Sequence, residues 1–78
     1  MLQPKTRSAL EALCINALRA TPTYVDAKAV EIRELDAPAG LPNWEVFAAY
    51  PKPSLDKIRI GEAEVATAEL RKRYRLVR

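Results

Sequence analysis

Histidine is absent from the chain, and cysteine occurs once, as Cys14. The first absence removes general-base catalysis by imidazole and every Ser–His or Cys–His nucleophile. The two together leave no ligand set for a structural zinc, which is built mainly from several Cys and His side chains. A single thiol also rules out an internal disulfide. Glycine is scarce as well: Gly40 and Gly61 stand far apart, so there is no Gly-rich phosphate loop. Neither a nucleophile elbow nor an EF-hand spacing is present. No cofactor and no metal are expected. The longest apolar run is Val46 to Tyr50, far too short to span a bilayer as a helix. Lys5 and Arg7 precede a Leu/Ala-rich stretch in the manner of an export signal. Glu11, Asn16 and Arg19 interrupt it, so no cleaved leader is expected. A lone thiol without an export signal makes the cytoplasm the expected compartment.

What is present reads as a folded globule. The 78 residues are 49% hydrophobic and 29% charged, which argues against disorder and for one domain over residues 1–78. A core of this size rarely supplies more than about 3–5 kcal/mol by itself, so a partner is a natural expectation. The net charge is +3, and it is unevenly placed. Arg71, Lys72, Arg73, Arg75 and Arg78 occur in the last eight residues without an acid. The remaining eight basic and ten acidic residues leave the body at −2. The positive excess is therefore a property of the C-terminal end.

Six prolines punctuate the chain, and the periodic segments lie between them. Residues 1–7 are expected to be disordered or extended. Ser8 and Glu11 have the spacing of a capping box. Leu10, Leu13, Cys14, Ala17 and Leu18 then form an apolar helical face, widened by Ile15. The helix should end near Arg19 or Ala20, because Thr21 precedes Pro22. Val30 and Ile32 alternate with Glu31 and Arg33 as in a half-buried strand. Asp36 to Asn43, with Pro38, Gly40 and Pro42, reads as a loop. Trp44 to Tyr50 reads as a second strand, with Trp44, Val46, Ala48 and Tyr50 on one face and Glu45, Phe47 and Ala49 on the other. Both faces are largely apolar, so this strand is expected to be central or covered on both sides. From Ser54 the pattern favours a helix running through Ile58-Arg59-Ile60-Gly61. The alternative is a third short strand at 57–60 before a helix starting near Glu62. Tyr74-Arg-Leu76-Val either continues that helix or folds back extended. The expected class is α+β, a two-layer α-β-β-α arrangement with a small antiparallel sheet; the alternative is α-β-β-β-α.

Few residues suggest chemistry. The carboxylates at Glu31/Glu34/Asp36 and Glu62/Glu64/Glu69 read as solvated surface groups, and Cys14 as a core filler. No catalytic constellation emerges, and the chain is expected not to be an enzyme. Two clusters stand out. The basic group Arg71, Lys72, Arg73, Arg75 and Arg78 could contact phosphates or an acidic partner. Three of these residues also complement the negative end of a helix, which is reason enough for them to be there. Tyr74 is the only neighbouring aromatic for stacking. A double-stranded-RNA module would want lysines where Glu62 and Glu64 stand. The second cluster is Trp44, Phe47 and Tyr50, either a core anchor or an exposed contact patch.

The early Leu-rich helix, the Pro22 turn, Val30-x-Ile32, Asn43-Trp44-x-Val46, Leu70 and the closing Tyr74-x-Leu76 resemble a group of short uncharacterised bacterial proteins. That resemblance implies a bacterial source and an α-β-β-α layout, with no established activity, and it transfers no catalytic or binding residue. The sequence therefore points to a small non-enzymatic domain acting through protein contacts or as a homodimer. The alternative is weak nucleic-acid binding through the C-terminal basic cluster.

Overall fold

The computed structural model describes residues 2–38, 40–54 and 61–77. Within them the order is β1 (Gln3–Thr6), α1 (Arg7–Arg19), β2 (Ala29–Glu34), β3 (Trp44–Tyr50), α2 (Glu62–Arg73) and β4 (Tyr74–Val77). The class is α+β, and β2 and β3 form the expected antiparallel pair. Two terminal strands flank the expected α-β-β-α order. β1 pairs with β4 in parallel, from Gln3 opposite Tyr74 to Thr6 opposite Val77. β1 is an edge strand, the position at which a proline such as Pro4 is tolerated.

α1 starts earlier than its capping box suggests. Thr6 closes β1 in extended conformation, and its hydroxyl accepts the Ala9 amide at 3.3 Å. The strand thus passes directly into the helix, and Ser8 lies in the first turn rather than at the cap. Leu10, Cys14 and Leu18 are fully buried, one stripe at i, i+4 and i+8. Both ends of the helix are tied to the chain around β2. Arg7 donates to the Ile32 carbonyl, and Arg19 Nε donates to the Ala27 carbonyl at 2.7 Å.

α2 begins at Glu62 because Gly61 sits at φ +78°, left-handed backbone that cannot continue a helix. The helix expected from Ser54 therefore does not run through Gly61. The rest of that helix and the alternative strand at 57–60 both fall outside the described residues. Ala63, Ala66 and Leu70 pack on the core. Thr67 is buried with its hydroxyl satisfied by the Ala63 carbonyl at 2.8 Å. At Tyr74 the chain turns extended rather than continuing the helix, and Leu76 enters the core.

β3 contains an extra residue. Glu31 faces Ala48 and Ile32 faces Val46, which leaves Phe47 without an opposite number. This β-bulge resets the alternation. Trp44 and Val46 point into the core before it, and Ala49 does so after it. Tyr50 is thereby turned outward. The expected face Trp44/Val46/Ala48/Tyr50 is broken, and Phe47 and Tyr50 are exposed. Among the described residues β2 is the ladder partner of β3.

Asn43 joins the two ribbons. Its backbone carbonyl accepts the Leu35 amide at 2.6 Å, extending the β2–β3 ladder. Its side chain faces the other way and pairs with β4. Nδ2 donates to the Leu76 carbonyl at 3.0 Å, and Oδ1 accepts the Leu76 amide at 2.9 Å. A side chain thus stands in for a strand residue. Beside it the Trp44 indole donates to the Tyr74 carbonyl at 3.0 Å, and Arg71 Nε donates to the Trp44 carbonyl at 2.8 Å.

Candidate functional site

The two clusters singled out from the sequence meet different fates. Arg71 is half-buried and bonded to the Trp44 backbone. Arg75 makes a long contact, 3.5 Å, with the Leu41 carbonyl. Lys72 lies 3.5 Å from Glu69 in an exposed i,i+3 pair, the kind of surface contact that contributes little. Arg73 is exposed on the last turn of α2. Arg78 lies outside the described residues. Arg71 and Arg75 are thus engaged with backbone carbonyls inside the chain. Arg75 and Val77 project to one side of β4, and Tyr74 and Leu76 to the other.

Trp44 is 0% exposed, so of the two readings of this residue the core anchor holds. Phe47 and Tyr50 behave oppositely, at 59% and 40% exposure. They occupy the open face of the β2–β3 hairpin, the face turned away from the helices. The bulge places Phe47 there without an opposing residue, and Tyr50 follows because the alternation has been reset. Each ring carries a cation: Arg33 lies 4.9 Å from the Phe47 centroid, and Lys52 lies 5.7 Å from that of Tyr50. Both distances fall within cation–π range. Arg33 also donates through Nε to Glu45 Oε1 at 2.9 Å, a cross-strand pair on the same face. Tyr24, Phe47, Tyr50, Lys52 and Pro53 border a shallow depression of about 300 Å³. Arg33, Glu45 and Lys52 were not identified from the sequence. The alternation Glu31-x-Arg33 already put Arg33 on the outer face, but only the hairpin register sets it beside Phe47.

The other features carry less chemistry. A polar depression of about 410 Å³ is bordered by Glu34, Asp36, Asn43 and Arg75. Two carboxylates of α2 have partners: Glu62 accepts the Thr23 hydroxyl at 2.7 Å, and Glu69 lies beside Lys72. No group of three or more metal-ligating side chains occurs among the described residues. No helix among them is long and apolar enough to cross a membrane. Burial pushes the Cys14 thiol up to about 12, and the Glu11 carboxylate adds to the effect. That thiol is therefore a poor nucleophile at neutral pH.

Fold and site together define a small α+β domain whose distinguishing surface is an aromatic, charge-balanced hairpin face. Comparison with protein-family models, curated proteins and solved structures finds no match.

Proposed function

We propose that this chain is a small non-enzymatic domain that acts through protein contacts, with the open face of the β2–β3 hairpin as its contact surface. The observation that carries this is the exposure of Phe47 and Tyr50, both on β3 and both bordering one depression. Aromatic side chains are the preferred anchors of protein interfaces, because they bury a large area for few rotatable bonds. Val25, Leu41 and Val65 are exposed as well, but scattered single apolar residues need no explanation. Phe47 and Tyr50 are joined by the depression they border. The nucleic-acid alternative has less behind it, since Arg71 and Arg75 donate to backbone carbonyls and Lys72 faces Glu69. The reading takes the setting to be a bacterial cytoplasm, from the resemblance to short bacterial proteins and the lone buried thiol.

The test is capture from cell extract on immobilised protein, wild type against the double variant Phe47→Asp, Tyr50→Asp. Proteins held by the wild type should be lost from the variant and retained by Lys72→Ala, Arg73→Ala. Equal capture by the wild type and the aromatic double variant would refute the proposal.

A further inference from the structure

We propose that Arg7 and Arg19 are plugs that close the outer edge of β2 against strand addition, an autoinhibitory contact built into α1. The proposal is independent of the reading of the hairpin face. Among the described residues each ribbon has two strands, so each strand has an outer edge. An unpaired edge is a template for any other extended chain. All four edges carry an interruption. β1 holds Pro4, which has no amide to donate. On β4 the one amide hydrogen of Leu76 goes to Asn43, and the Tyr74 carbonyl goes to the Trp44 indole. On β3 the Trp44 carbonyl accepts Arg71. On β2 the Ile32 carbonyl accepts Arg7, and just ahead of the strand the Ala27 carbonyl accepts Arg19.

The register of the hairpin shows which way these groups face. Leu35 donates to the Asn43 carbonyl, so those two residues are a bonded pair. Bonded and non-bonded pairs alternate along an antiparallel ladder. Arg33/Glu45 is then a bonded pair, and Glu34/Trp44 and Ile32/Val46 are non-bonded pairs. Residues of a non-bonded pair turn their amides and carbonyls away from the partner strand. The Ile32 carbonyl and the Glu34 amide therefore lie on the free side of β2, where an added strand would bond. That side meets solvent, since Arg7, Arg19 and Glu34 are all exposed. The helix has the length the task needs. Arg7 and Arg19 are the first and last residues of α1, about 18 Å apart along its axis. Ala27 and Ile32 span at most about 17 Å of extended chain.

The purified chain supplies its own strands for a test by static light scattering over rising concentration. Arg7→Met keeps the stem and removes the donors. At the top of the range its mass should be roughly double that of the wild type or more, as edges pair. Arg19→Met should act in the same direction. Arg73→Met removes an exposed cation from the last turn of α2 and should match the wild type. Adding Glu34→Pro to Arg7→Met removes the outward amide beside the vacated carbonyl and should bring the mass back down. Far-ultraviolet circular dichroism selects the folded variants for comparison. Folded Arg7→Met and Arg19→Met chains that keep the wild-type mass overturn the proposal. Association of Arg7→Met that persists with Glu34→Pro overturns it as well, because it does not run through the edge of β2.

Discussion

Three buried residues carry much of the fold, and each gives a measurable consequence. Cys14 is fully buried, with its pKa raised from the ordinary 9.0 to about 12. The unfolded chain therefore loses this proton first as pH rises. Between about pH 9 and 12 the unfolded state binds fewer protons than the folded one, so stability falls, with a slope approaching ~1.4 kcal/mol per pH unit. Urea denaturation at pH 8 and pH 10 should show a larger loss for the wild type than for Cys14→Ala, and equal losses would contradict the assignment. Asn43 satisfies both backbone groups of Leu76 from one side chain. Asn43→Ala leaves a buried amide and a buried carbonyl unpaired, at a cost of about 2–4 kcal/mol. Asn43→Asp sets a carboxylate oxygen against the Leu76 carbonyl where Nδ2 donated, and at neutral pH should cost at least as much as Asn43→Ala, as read from denaturant midpoints. Trp44 is gripped at its indole and at its carbonyl. Its replacement by Ala should cost about 3–5 kcal/mol, enough to unfold a domain of this size.

Among the elements, β3 makes the least obvious prediction. Phe47 is the surplus residue of the bulge, so its removal leaves the facing pairs Ile32/Val46, Glu31/Ala48 and Val30/Ala49 in register. A deletion inside a strand ordinarily sends every later side chain to the wrong face. Deleting Phe47 should instead give a regular hairpin with Trp44 still buried. Retention of Trp44 fluorescence and cooperative unfolding would check this, and a molten chain would refute it. The same bulge explains why the site was only half legible in the sequence. Period-two reading gave the existence of the strand, but it set Tyr50 on one face with Trp44 and Phe47 on the other, and left open whether these aromatics anchor the core or form a contact patch. An inserted residue leaves no compositional mark. The stripe of α1 was legible because Leu10, Cys14 and Leu18 recur at helical spacing. β1 was not, because Gln3-Pro-Lys-Thr6 has neither alternation nor branched residues. Its pairing depends on β4, far along the chain, which no local pattern reports. The bonds of Arg71 and Arg75 were not legible for a related reason. A charged side chain bonded to a backbone carbonyl looks, in sequence, like one facing solvent.

For the whole molecule, the small core and the two ribbons make each sheet depend on the other. β4 contributes Leu76 to the core, the carbonyl that Trp44 requires and the backbone that Asn43 requires. A chain ending after Arg73 should therefore lose its folded far-ultraviolet circular dichroism altogether rather than shed a strand, and a stable truncated fold would show that the ribbons are independent. The parallel pairing of β1 with β4 has a further, mechanical consequence. Two parallel strands point the same way, so the chain enters the pair at Gln3, beside Tyr74, and leaves it past Val77, beside Thr6. Tension applied at Gln3 and Val77 slides one strand along the other and loads their hydrogen bonds together. An antiparallel pair pulled at one end would instead open like a zipper, one bond at a time. Four residues at each end thus turn a marginal domain into a shear clamp, with Asn43 fastening the clamp to the hairpin behind it.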